Sequence, residues 1–216
     1  MNKLIIIMTT ITVIFSAGMF HDNQMNFGLT YSSESETDSD GDTYVTTDYI
    51  FSGGYFYSDN IEFTAMYRNS SQEYDDNYYS NLNMDANGYG VGLNYYLKND
   101  WVKDGSLNFI FGLSYDVASL TGDYLDDLNA EADATYTTYE ITTYKKISNN
   151  TIFATVSHNE YEFEISDGIT TITDTGDALY TTLGIGINVG SLVITPMIGI
   201  NEDEETRFSV NASIGI

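Results

Sequence analysis

Leu179-Tyr-Thr-Thr-Leu-Gly-Ile-Gly-Ile-Asn-Val189, then Gly190-Ser191, then Leu192-Val-Ile-Thr-Pro-Met-Ile-Gly-Ile200, and finally Arg207-Phe-Ser-Val-Asn-Ala-Ser-Ile-Gly-Ile216 close the chain. In the first run Leu179, Thr181, Leu183, Ile185, Ile187 and Val189 alternate with Tyr180, Thr182, Gly184, Gly186 and Asn188; in the last, Phe208, Val210, Ala212, Ile214 and Ile216 share one face. A period of two means strands with one apolar side. The opposite side is Ser, Asn, Gly and Arg, too small and polar for half of a sandwich core. Apolar outside and polar inside is the pattern of a transmembrane barrel, with a secreted β-sandwich as the alternative.

The same alternation runs back through the chain. Met25, Phe27, Leu29 and Tyr31 share a face, as do Val45, Thr47, Tyr49, Phe51, Tyr55 and Tyr57, and after the turn Ser58-Asp59-Asn60 so do Ile61, Phe63, Ala65 and Tyr67. Tyr89 to Leu97, Leu107 to Tyr115, Thr135 to Lys145 and the shorter Ile152, Ala154, Val156 set follow. In that last set Phe153 falls on the polar side and leaves the register open. With the three C-terminal runs this predicts an all-β, up-and-down antiparallel transmembrane β-barrel of 10 strands, with 8 as the alternative. An even count suits a single-chain bacterial barrel, and several runs have the ~9–11 residues a tilted strand needs to cross a bilayer.

Ahead of the strands, Met1 to Gly18 carries Lys3, an apolar run from Leu4 to Phe15, and Ser16-Ala17-Gly18. The run is short of the ~20 residues of a spanning helix, so residues 1–18 are expected to be a secretory signal peptide and 19–216 the barrel. Cys 0 fits an exported barrel whose closed ladder needs no disulfides, and Tyr 19 with Phe 11 fits aromatic belts at two membrane interfaces. A net charge of −25 repels nucleic acid, which is excluded as a partner.

The connections sort by charge. Those after odd strands (33–43, 69–83, 116–134, 158–177 and 201–206) are long and hold 24 of the 32 Asp and Glu, while those after even strands are mostly short. Long loops are expected outside the cell and short turns in the periplasm, where Lys98, Lys103, Lys145, Lys146, Trp101, Tyr95 and Tyr96 would line the interface.

On this signal, alternation and loop pattern, the chain resembles the small bacterial outer-membrane β-barrels, the OmpA- and OmpX-type barrels and their ten-stranded relatives. The resemblance covers essentially all of 19–216. It implies the outer membrane of a Gram-negative bacterium with loops extracellular, contact with lipid and lipopolysaccharide, and assembly by the barrel-assembly machinery. Such barrels often end in Phe or Trp, whereas this chain ends in Ile216.

Parity places Asp48, Glu62, Arg68, Glu140 and Arg207 in the lumen, as a structural ion-pair plug or as a gated cation path. Asp38-x-Asp40-x-Asp42 opens like an EF-hand loop, but Thr43 and Tyr49 stand where that loop has Gly and Glu. The expectation is a solvated acidic loop, or weak Ca²⁺ or Mg²⁺ binding at Asp38, Asp40 and Asp42 shared with Glu202-Asp203-Glu204-Glu205. No other cofactor is indicated. Glu160, Glu162 and Glu164 alternate with Tyr161, Phe163 and Ile165, which reads as strand continuing above the membrane with a carboxylate row backed by an apolar face. Omptin-type proteases use an Asp pair and an Asp-His pair at the outer rim. Here Asp38-x-Asp40 and His158-x-Glu160 are in other loops with the second pair reversed, and Ser157 beside His158 points to the opposite face, so a hydrolase is a distant alternative and the chain is taken as a non-enzyme. The functional expectation is a structural or surface-interaction barrel with acidic extracellular loops that engage an extracellular ligand. The alternative is a narrow cation-preferring pore.

Overall fold

The computed structural model describes residues 19–20, 24–37, 43–75, 80–97, 107–202 and 205–216. Ten strands follow in chain order: β1 Met25–Thr37, β2 Thr43–Ser58, β3 Ile61–Asp75, β4 Ser80–Leu97, β5 Asn108–Gly122, β6 Glu131–Ile147, β7 Asn150–Ser166, β8 Thr171–Val189, β9 Leu192–Asn201 and β10 Thr206–Gly215. One short helix, α1 Asp123–Leu128, stands between β5 and β6. Each strand pairs antiparallel with its chain neighbours, and β10 returns to β1 in a register running from Asn26 opposite Gly215 to Glu34 opposite Arg207. The expected ten-stranded up-and-down barrel is what forms. Closure leaves no edge of unpaired amides, the condition under which strands can stand in hydrocarbon.

The outward face is what the alternation specified. Phe51, Val91 and Leu183 are 53%, 63% and 53% exposed, far more apolar surface than a water-soluble wall tolerates. Above this band Tyr31, Tyr49, Tyr67, Tyr89, Tyr115 and Tyr139 run round β1 to β6, with ring centroids 5.4 Å apart for Tyr31 and Tyr49 and 5.3 Å for Tyr67 and Tyr89. Tyr55, Tyr57, Phe63, Tyr95 and Phe111 make the second belt near the short turns. Two aromatic belts bracketing an apolar band are the signature of a bilayer-spanning barrel.

The wall is much taller on one side. At ~3.3 Å per residue and a ~45° tilt, β8 with its 19 residues climbs roughly 44 Å, whereas the apolar band of such barrels is about 25 Å. The 10 residues of β10 climb only about 23 Å. Stretches read from sequence as loops are therefore largely strand: 33–37, 69–75, 116–122, 131–134, 158–166 and 171–177 all continue their ladders. Backbone hydrogen bonding propagates along a hairpin whether or not the outward side chains are apolar, and Thr, Tyr and Ile favour it. Glu160, Glu162 and Glu164 belong to such an extension, backed by Tyr161, Phe163 and Ile165 as the sequence indicated.

Inside, the lumen is filled in layers. At the end with the short turns, Met19, Phe20, Tyr96, Ile110, Tyr144, Phe153, Val193 and Met197 form an apolar plug. Phe153 explains its break in the β7 alternation: it points inward, 5% exposed, edge-on to Phe20 at 6.0 Å, in space left by the missing side chain of Gly184, while Phe20 takes the space over Gly186. Tyr96, expected at the interface, is likewise inward and 1% exposed, because Tyr95 already occupies the outward parity. At the opposite end Leu125 of α1 joins an apolar cluster with Met84, Leu120, Ala134 and Tyr136, the helix lying against β4 and β5. Gly122 permits that turn: its φ of 145° suits glycine, and a Cβ there would collide with the Asn83 carbonyl oxygen.

Candidate functional site

Between the two apolar layers the lumen is polar, and its charged side chains fall into three groups. Near the tall rim, Asp48 of β2 forms an ion pair with Arg207 of β10 across the barrel seam, their side chains 1% and 6% exposed. Ser32 of β1 stands between them, accepting from Arg207 Nη2 at 2.5 Å and donating to Asp48 Oδ2 at 3.2 Å, and Ser70 donates to Asp48 Oδ1. Midway down, Arg68 lies over the ring of Tyr136, 5.6 Å from its centroid, and Asp116 fills the space over Gly90. Toward the short turns, Glu62 accepts from Asn26, Asn94 and Tyr96, and Glu140 lies over Gly112.

All five sequence-derived lumen residues thus point inward and are buried. Asp48 and Arg207 meet. Glu62 lies six residues from Arg68 along β3, roughly 20 Å at ~3.3 Å per residue. Glu34 and Asp116 are also inward and buried; they lie just beyond Ser32 and Tyr115, where the apolar alternation stops, and continue the inward parity of Asn26 to Ser32 and of Ser114.

On the outside of the tall wall, β6, β7 and β8 carry a carboxylate face. Register sets Asp133 beside Glu164 and Glu160 beside both Thr137 and Asp177. A groove of about 650 Å³ runs here, lined among others by Thr135, Thr137, His158, Glu160, Glu162 and Asp177. His158 stacks on Tyr139 at 6.3 Å and lies 3.7 Å from Glu160 and 3.9 Å from Asp177, half exposed at the level of the upper tyrosines. Burial, then the carboxylates of Asp174 and Asp177, push the Tyr161 phenol above its ordinary range, so it stays a neutral hydroxyl. Ser157 faces the lumen, 1% exposed, on the opposite side of the wall from His158, so the two do not form a nucleophile and base.

The hairpin joining β7 and β8 ends in a tight turn in which Asp167 Oδ1 accepts from the backbone of Thr170 at 2.6 Å and Ile169 at 2.8 Å. Those two bonds, Thr170 first, hold its carboxyl below the ordinary range. Asp38, Asp40, Asp42, Asp203 and Glu204, like Lys98, Trp101 and Lys103, lie outside the described residues. Glu205 is tied to Asn201, whose Nδ2 donates to it at 2.5 Å. Among the described residues no three carboxylates or imidazoles converge on a metal position.

A closed, even-stranded antiparallel cylinder with apolar exterior, paired aromatic belts and a polar lumen is an outer-membrane type β-barrel. Solved structures agree on the architecture. The chain is similar to the translocator domain of the autotransporter NalP from Neisseria meningitidis, with TM-score 0.51 and 8% identity over 90% of this chain and 88% of that one. It is similar also to the transport unit of the autotransporter AIDA-I from Escherichia coli (0.50, 14%, 88% and 88%) and to an outer-membrane channel from Pseudomonas putida F1 (0.50, 7%, 89% and 95%). At these identities the likeness is one of fold. No family model matches the chain, and no curated protein matches it in sequence.

Proposed function

We propose that this barrel resides in the outer membrane of a Gram-negative bacterium, with the tall rim outside the cell, and acts through that rim rather than through its bore. The observation that carries this is the filling of the lumen: an apolar plug at one end, an ion pair and buried polar groups between, and α1 with its apolar bed at the other. A narrow barrel so filled serves as an anchor. What it presents is the carboxylate face of β6 to β8, with Glu160, Glu162, Glu164 and Asp177 outward and Tyr161, Phe163 and Ile165 stiffening it from behind. Such a face attracts basic groups directly, and phosphates of neighbouring lipopolysaccharide through bridging Ca²⁺ or Mg²⁺. Asp38, Asp40 and Asp42, in the connection between β1 and β2, would add hard oxygens for weak divalent binding.

The test has two arms. Refolded chain in a planar bilayer should be electrically silent; discrete cation-selective steps would overturn the closed-anchor reading in favour of the narrow cation-preferring pore. Vesicles bearing the chain should bind an immobilised basic protein severalfold more than vesicles bearing the E160Q/E162Q/E164Q/D177N variant, with the difference fading as salt rises. Equal binding by both would remove the carboxylate face from the function.

A further inference from the structure

Within the membrane the sheet is closed, but above it the wall has a notch. The β8–β9 ladder climbs no higher than Tyr180 opposite Asn201, and the β1–β10 ladder no higher than Glu34 opposite Arg207. β8 extends above this level to Thr171, paired there with β7, from Ala178 opposite Asn159 to Thr171 opposite Ser166. Residues 171–179 are therefore a strand edge of about nine residues, roughly 30 Å at ~3.3 Å per residue. Among the described residues none pairs with its other side. The facing boundary, β1 beyond Glu34, stands across the width of β9 and β10, roughly 14 Å at ~4.8 Å per strand spacing.

In an antiparallel strand the N–H and C=O of one residue point to the same neighbour, and successive residues point to opposite ones. Pro196 of β9 fixes which is which. It has no N–H, and the β8–β9 ladder skips at Ile185 and Gly186 opposite it, while the β9–β10 ladder is unbroken at Pro196 opposite Val210. Odd-numbered residues of β8 thus face β9 below and the notch above, so Thr173, Thr175 and Asp177 offer their backbone groups to the notch. The Thr175 N–H accordingly donates to a side chain, Asp174 Oδ1 at 3.0 Å. Native edge strands are blunted by Lys, Pro or bulges, yet β8 has no Lys, Arg or Pro and keeps one register along β7. What guards this edge is acid: Asp174 and Asp177 on it, with Glu160 opposite Asp177 and Glu164 opposite Thr173.

We propose that residues 171–179 take up an extended, basic segment of another protein as an added strand. Main-chain hydrogen bonds to Thr173, Thr175 and Asp177 hold the segment, with Asp174 releasing the Thr175 N–H to an incoming carbonyl. Lys or Arg at its alternate positions then lies beside Asp177, with Glu160 behind in the groove they share. A second copy of this chain does not suit the edge, because its own Asp174 and Asp177 would meet like charge. The inference rests on the reading of the outer face as a site for basic partners and supplies the way in which one is held.

The full chain, refolded in phosphatidylcholine vesicles, is titrated with a fluorescent peptide of alternating Thr and Lys. A second titration uses the same peptide N-methylated at every residue, which keeps the charge but cannot donate main-chain hydrogen bonds. Wild type should bind the first peptide at least about tenfold more tightly than the second. T173P/T175P removes N–H groups from the notch side only, where proline leaves the β7 ladder whole, and should weaken the first peptide about tenfold. E160Q/E162Q/E164Q/D177N should weaken both peptides. Equal binding of the two peptides to wild type would overturn strand addition; if the charge variant still lost them, the outer face would remain a site for basic partners. Binding of neither peptide to wild type would overturn both readings. Should T173P/T175P fail to fold, as read from heat-modifiable migration, the two peptides on wild type still decide.

Discussion

Replacing Asp48 by Ala removes one half of a buried ion pair and leaves the other half in place. Arg207 would remain with its side chain 6% exposed, and Ser32 and Ser70 would lose the acceptor they share. Stranding one charge of such a pair costs about 3–5 kcal/mol, and each hydroxyl left without its acceptor about 1 kcal/mol. Against this, Glu34 lies directly across the β1–β10 register from Arg207, also buried, and offers a replacement carboxylate. A net loss of about 3 kcal/mol is expected. The double variant Asp48→Ala/Arg207→Met removes both charges and fills the space with an apolar chain, so it should fall within about 1 kcal/mol of wild type. The assay is reversible urea unfolding of the barrel in lipid vesicles, followed by tyrosine fluorescence and checked by heat-modifiable migration. A single variant costing under about 1 kcal/mol, or a double variant no milder than the single one, would refute the claim that Asp48 serves chiefly to neutralise Arg207.

Two further expectations concern the rim. Gly122→Ala places a Cβ at φ 145° against the Asn83 carbonyl, so α1 should detach from its apolar bed; limited proteolysis should then cut within 123–130 while the membrane-spanning core stays intact, and an uncut variant would argue that Gly122 is not what lets α1 dock. Asp167 is held below its ordinary value of 3.8 by two backbone amides, so its carboxylate favours the hairpin tip at every pH above that value and the effect is lost as pH falls through the lower folded value. An NMR titration of Asp167 should give a midpoint below 3.8, rising part of the way to the ordinary value in a variant with Thr170→Pro, which lacks that amide but keeps the one of Ile169.

The membrane-spanning part of each strand was legible because lipid outside and a polar lumen inside impose opposite demands on alternate residues. Above the lipid that contrast disappears, since Glu160 faces water outside while polar Asn159 faces the lumen, and the strands run several residues past the point where alternation marks them. Glu34 and Asp116 lie in those extensions. The inward charges at Asp48, Glu62, Arg68, Glu140 and Arg207 followed from parity alone, but which of them meet depends on strand stagger around the closed sheet, which no single strand encodes. Phe153 and Tyr96 looked like exceptions because an apolar plug is a property of the whole circumference. Met19 and Phe20 belong to that plug, and two residues carry no periodicity from which it might have been inferred.

The seam between β1 and β10 brings together residues as distant in sequence as Thr30 and Asn211, whose side chains meet at 3.0 Å across a separation of 181 positions. Every other strand pair is a hairpin that can zip locally from its turn. Only the seam must gather the two ends of the sheet, and loop-closure entropy makes that contact the slowest to form. The Asp48–Arg207 pair fastens this late joint, reaching from β10 past β1 to β2. Without that seam β1 and β10 would each present a row of unpaired amides and carbonyls, so the joint that completes the wall is also what keeps the sheet from pairing there with another chain.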